Sequence, residues 1–170
     1  MNDVFIYGFG GFGREIASII KSINKINPEW NILGFIDDGV PVGTQNKYGN
    51  VLGTRDFLNN YNKSVAVVMA IATPRILELV IPKITNPLVY FPNIIAPTVL
   101  FFDRDTLTIG RGNVLCHNCR LSCDVSLGDF NLVNGAVSLG HDVKIGNYNV
   151  MQPETRISGE TSIGNVNFFG

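Results

Sequence analysis

The 170-residue chain has two histidines, three cysteines and one tight cluster of glycines, and any chemistry is sought there first. His141 is followed by Asp142, a carboxylate placed to orient the imidazole or steady its charge, and Asn134 lies seven residues back. An imidazole titrating near ~6.5 suits general acid–base work. His117 sits in Cys116-His117-Asn118-Cys119, with Cys123 close behind, residue types that could bind zinc. Gly8, Gly10 and Gly13 fit G-x-G-x-x-G, where glycine permits a tight turn and the following helix N-terminus favours phosphate. Asp37 and Asp38 lie 24 and 25 residues past Gly13, spaced to accept a hydrogen bond from a ribose hydroxyl.

The elements that must position these residues divide the chain in two. In the first half, the apolar run 4–7 ends in glycine and reads as a buried strand. Residues 11–24 carry Ile16, Ile19, Ile20 and Ile23 at helical spacing. Further strands are expected at 32–36, 65–72 and 88–91, and helices at 54–61 and from Pro74 to about residue 84. Strand–helix alternation predicts a parallel sheet with right-handed crossovers.

The second half repeats every six residues. Positions 109, 115, 121, 127, 133, 139, 145, 151, 157, 163 and 169 are all apolar. At the chain's 45% apolar content, chance gives this roughly once in several thousand trials, so the period is real. Six fits neither a helix nor an alternating strand; it predicts a β-helix of short strands and turns. The large apolar residue of each hexad points inward, and Asn and Gly are expected to supply positive φ at the corners. Both histidines fall two positions after an inward residue and should point outward. Cys119 falls inward and Cys116 and Cys123 outward, so the three sulfurs should not converge and no metal is expected.

Composition narrows the function classes. Thirteen Lys and Arg against 14 Asp and Glu give a net charge of −1, which argues against a nucleic-acid partner. No apolar run reaches the ~18 residues of a membrane span, and nothing at the N-terminus resembles a secretory signal. An odd number of cysteines suggests no disulfide framework, and a cytoplasmic location is expected.

The run Ile6-Tyr7-Gly8-Phe9-Gly10-Gly11-Phe12-Gly13, then Gly34-Phe35-Ile36-Asp37-Asp38, then hexads containing Asn134 and Gly140-His141-Asp142-Val143-Lys144-Ile145-Gly146, resembles the PglD/NeuD-type sugar acyltransferases over nearly the whole chain. The resemblance implies a Rossmann-like α/β domain over residues 1–92 that binds a nucleotide-sugar. It implies a left-handed parallel β-helix over residues 93–170 that forms homotrimers and binds acetyl-CoA between subunits. Substrate contacts would come from Gly8, Gly10, Gly11, Phe12, Gly13, Asp37 and Asp38. His141 would be the general base, with Asp142 and Asn134 assisting. Gly159 lies 18 residues further on, one coil of a three-sided helix, and would supply an oxyanion donor beside His141. The loop departs from the family's Ser-Gly-His-Gly: Phe12 replaces the histidine and removes its polar contact. The expected activity is acetyl transfer from acetyl-CoA to an amine or hydroxyl of a nucleotide-linked sugar, by direct attack on the thioester. A non-catalytic sugar-nucleotide-binding or scaffold protein, and a nicotinamide-dependent oxidoreductase, stay open as alternatives. The hexads stop at Phe168-Phe169-Gly170 without a polar cap, which predicts a shortened C-terminus and weak acetyl-CoA affinity.

Overall fold

The structure, a computed structural model, describes residues 1–170. The chain divides into two compact units, Met1–Ile71 with Leu79–Pro92, and Ala72–Glu78 with Asn93–Gly170.

The first unit is built on a six-stranded sheet. In chain order its elements are β1 (Asn2–Tyr7), α1 (Gly11–Ile26), β2 (Trp30–Ile36), β3 (Gln45–Asn46), β4 (Gly49–Gly53), α2 (Arg55–Asn59), β5 (Val65–Met69) and β6 (Val89–Tyr90). The sheet order is β3-β4-β2-β1-β5-β6, parallel throughout except for the β3–β4 hairpin. That hairpin is absent from the sequence reading, because neither strand carries a run of apolar residues. β2 and β1 form the centre with β5 beside β1, and all five residues of β5 are buried, as the unbroken Val65-Ala66-Val67-Val68-Met69 run demands. Ile16, Ala17, Ile19 and Ile20 bury one face of α1. The chain leaves β1 for β2 on one side and later returns to β5 on the other. The loop after β1 therefore stands at the point where strand order reverses, where open α/β sheets bind ligands. The helix expected from Pro74 to residue 84 is shorter: α3 (Pro74–Val80) gives way to a single 3-10 turn, Ile81–Lys83.

The second unit is a left-handed parallel β-helix whose two-residue strands stack on three faces. One face stacks Ile94–Ile95, Val114–Leu115, Leu132–Val133, Val150–Met151 and Phe168–Phe169. The second stacks Leu100–Phe101, Arg120–Leu121, Ser138–Leu139 and Arg156–Ile157, and the third Thr108–Ile109, Ser126–Leu127, Lys144–Ile145 and Ser162–Ile163. From residue 114 onward, each strand pairs with the one 18 residues further on. The second residue of every strand joins one apolar core, as the hexad pattern requires.

The corners differ from expectation. Positive φ recurs every six residues from 118 to 166, but on Asn118, Asp124, Phe130, Ala136, Asp142, Tyr148, Glu154, Glu160 and Val166; glycine takes such a corner only at Gly112. A non-glycine residue there costs roughly 1–2 kcal/mol. The cost is offset by a hydrogen bond between coils: the N–H of Asp142 donates to the Cys123 carbonyl (3.1 Å) and that of Glu160 to the His141 carbonyl (2.8 Å). One corner of each coil also carries a buried asparagine. The Nδ2 of Asn131 donates to the Asn113 side-chain oxygen (3.1 Å) and to the Gly146 carbonyl (2.8 Å). Asn149 repeats the pattern on Asn131 (3.0 Å) and Gly164 (2.9 Å), and Asn167 on Asn149 (2.9 Å).

Candidate functional site

The glycine loop after β1 separates into two kinds of glycine. Gly8 has φ +119°, and a Cβ there would lie 2.7 Å from the Ala70 carbonyl oxygen. A Cβ on Gly13 would lie 2.0 Å from the Gly8 carbonyl oxygen, so only glycine lets α1 start this close to β1. Gly10 faces open space and Gly11 meets only the end of the Arg14 side chain, which leaves the start of α1 accessible, with no side chain capping Gly10. Phe12 is half-buried. The two acids that follow β2 are engaged within the protein. Asp37 accepts from the N–H groups of Phe9 (2.9 Å), Gly39 (2.8 Å) and Val40 (3.1 Å), which ties the loop after β2 to the glycine loop. Asp38 accepts from the Tyr7 hydroxyl (2.5 Å) and the Arg55 N–H (2.8 Å). Burial pushes the Tyr7 hydroxyl far above its usual range, and the Asp38 carboxylate adds to the push. Burial also raises Asp38, but the Arg55 N–H, the Tyr7 hydroxyl and the Arg55 charge outweigh it and hold the carboxyl below its ordinary value. Both acids are thus tied into the protein, with Asp37 half-buried and Asp38 exposed.

In the β-helix, His141 follows the Ser138–Leu139 strand and directly precedes the left-handed corner residue Asp142. It is exposed, as expected. Its Nδ1 pairs with Asp142 Oδ2 at 2.9 Å, which leaves Nε2 open. That hydrogen bond raises the imidazole above its ordinary pKa; desolvation of the ring opposes it, and the charges of Asp142 and Glu160 add to the rise. One coil on, Gly159 lies against the ring: a Cβ there would meet Nε2 at 2.7 Å and Cδ2 and Cε1 at 2.9 Å. The Gly159 N–H makes no hydrogen bond within the chain. A cleft of about 340 Å³ opens beside His141, with Phe102, Leu139 and Gly140 at this end and Arg120, Ser138 and Arg156 further along.

Asn134 is not brought to His141. It follows the Leu132–Val133 strand at the previous corner, and its side-chain oxygen accepts from the Gly135 N–H (2.8 Å). His117 is half-buried, and its Nδ1 pairs with the Thr98 hydroxyl at 2.8 Å, a partner the sequence reading did not anticipate. Cys116, expected to point outward, is buried. Cys119 is buried as expected; its thiol contacts the Asn134 carbonyl (3.0 Å), and burial pushes its pKa up to about 11. No three His, Cys, Asp or Glu side chains group to hold a metal ion, and no helix is long and apolar enough to cross a membrane.

Comparison with known proteins places both units. Residues 3–84 match the PglD N-terminal domain. The fold is similar to that of WeeI from Acinetobacter baumannii, at 24% identity and TM-score 0.84 over 99% of this chain and 77% of that one. It is also similar to the acetyltransferase domain of PglB from Neisseria gonorrhoeae, at 18% identity and TM-score 0.77 over 100% and 92%. A mutant of perosamine N-acetyltransferase from Caulobacter crescentus, in complex with CoA and GDP-perosamine, aligns at 16% identity and TM-score 0.55 over 100% and 89%. No curated protein matches the chain in sequence. Residues 3–84 thus match the PglD N-terminal domain, and the whole chain shares its two-part fold with these solved structures.

Proposed function

We propose that the protein transfers an acetyl group from acetyl-CoA to an amine or hydroxyl of a nucleotide-linked sugar. The observation that carries this reading is the His141 corner: an exposed imidazole, held through Nδ1 by Asp142, with Nε2 open above a glycine and beside a cleft. Similar structures that contain acetyl-CoA, or CoA with GDP-perosamine, support the choice of substrates.

Nε2 takes the proton from the acceptor as its nitrogen or oxygen attacks the thioester carbonyl. The new C–N or C–O bond forms, the C–S bond breaks, and the imidazolium returns its proton to the leaving thiolate. Asp142 is the only side chain hydrogen-bonded to His141, so no serine or cysteine is paired with the base as a nucleophile, which favours direct attack. The free Gly159 N–H is the nearest candidate donor to the oxyanion. The open glycines of the loop after β1, at the start of α1, suit the phosphates of the nucleotide. A homotrimer is the assembly proposed for the β-helix.

Thiol release from acetyl-CoA in the presence of a panel of nucleotide-linked amino and hydroxy sugars tests the activity. Release with none of them would refute it. Light scattering tests the assembly, and a monomer mass at micromolar concentration would refute the trimer.

A further inference from the structure

The face of the β-helix that ends at His141 carries a feature the proposed chemistry does not use. Its outward column reads Leu100, Arg120, Ser138, Arg156 in strict register. Neighbouring strands lie about 4.8 Å apart, so the two arginines start roughly 10 Å apart with a hydroxyl midway. Their long side chains can close that span onto one tetrahedral anion. Neither guanidinium makes an ion pair or hydrogen bond within the chain, whereas Arg55, Arg75 and Arg111 each face a carboxylate at 3.2–3.6 Å. Two unneutralised cations side by side repel, and the arrangement is stabilised once an anion sits between them.

The surroundings say what kind of ligand brings the anion. Arg120, Ser138 and Arg156 line both the cleft at His141 and a second, more polar cleft of about 400 Å³ that continues it toward Asn118 and Glu154. Glu154 is the one carboxylate lining either cleft, so positive charge is in excess. From the arginines toward His141 the lining turns apolar, with Phe102 and Leu139. The groove thus suits a long ligand with a phosphorylated head and a neutral arm whose reactive end reaches Nε2.

We propose that Arg120 and Arg156, with the Ser138 hydroxyl between them, hold a phosphate group of the acyl carrier in the groove that ends at His141. The proposal rests on the acetyl-transfer reading above. The glycine loop offers a nucleotide-sugar's phosphates a separate place in the other unit, so the carrier is the occupant of this groove.

Calorimetry with CoA, 3′-dephospho-CoA and UDP on the wild type, Arg120→Gln, Arg156→Gln and the double variant tests it. All four positions on the column point outward, and thermal melting confirms that each variant folds. Each single change should weaken CoA binding about tenfold and the double change about 100-fold. Lysine replacements should restore part of the loss. Raising salt should weaken CoA binding to the wild type far more than to the double variant. UDP binding should be unchanged. A double variant that binds CoA as tightly as wild type overturns the arginine pair and leaves the acetyl-transfer reading standing. A loss that falls on UDP instead overturns the assignment to the carrier. Wild-type protein that binds no CoA overturns the acetyl-transfer reading and this proposal with it.

Discussion

Replacing Gly159 with alanine adds one methyl group at the point where the proposed site is tightest. The new Cβ would stand 2.7 Å from His141 Nε2, against an ordinary contact of roughly 3.4 Å, so the ring must retreat by about 0.7 Å or swing away from Asp142. Gly159 is not a left-handed position, so alanine brings no backbone strain. The atoms it meets are the far end of an exposed side chain, which can move at small cost. Stability should therefore change by less than about 1 kcal/mol, or within roughly 2–4 °C in Tm for a chain of this size. Turnover should fall about 100-fold, the usual cost of misplacing a reacting group by about 1 Å. Two further alanines bracket the result. Gly164 faces open space, and Gly164→Ala should leave both turnover and Tm unchanged. Gly140→Ala would drive its Cβ to 2.4 Å from the Gly159 backbone nitrogen and should destabilise the coil itself. Acetyl transfer and thermal melting measured on all three decide the matter. Near-wild-type turnover by a folded Gly159→Ala protein would refute Nε2 as the reacting atom.

Other substitutions test the same site from different sides. His141→Ala should fold normally and lose acetyl transfer by about 10²–10⁴-fold, whereas His117→Ala, whose Nδ1 is tied to Thr98, should stay within a few-fold of wild type; equal losses would sink the assignment. Asp142 raises the His141 pKa, so the basic form of His141 forms at higher pH than it otherwise would; Asp142→Asn, tolerated at this left-handed corner, should move the acidic limb of the pH–kcat profile to lower pH and reduce kcat, and an unmoved limb would count against the pairing. Asn131→Ala should leave the Gly146 carbonyl and the Asn149 amide buried without partners, costing about 3 kcal/mol or more and roughly 6–12 °C in Tm; a drop of under about 2 °C would mean that the asparagine column is dispensable.

The inward column from Ile109 to Phe169 was legible because one coarse property, apolarity, repeats at a fixed interval and burial reads that property directly. Gly8 and Gly13 were legible for a similar reason: a motif that demands close backbone approach names the residue that permits it. The corners were not. Phe130, Ala136 and Val166 hold left-handed φ against their own preference because hydrogen bonds between coils fix the backbone there, and local sequence does not carry that information. The partners of Asp37 and Asp38 were not legible: their spacing suggested only a ribose contact, and the nearby N–H groups and the Tyr7 hydroxyl that also bond to them come from elements packed by the fold. The pairing of His141 with Asp142 followed from adjacency, and that of His141 with Gly159 from counting one coil. The stacked arginines and the buried asparagines obey that same count of 18, which the sequence reading applied only to His141 and Gly159.

The two counts have different consequences for how the β-helix finds its register. A coil that closed one hexad early or late would still bury a large apolar residue at every strand, so the core pattern alone leaves three alignments nearly equivalent. The asparagine column removes that ambiguity. Asn113, Asn131, Asn149 and Asn167 bond to one another only in this register, and a slipped coil would place an asparagine among the valines at positions 125, 137 and 143. Each asparagine therefore works as an index mark that penalises misalignment more than it rewards the correct fold. Indexed in this way, the coils set Gly159 under His141 and Arg156 in line with Arg120.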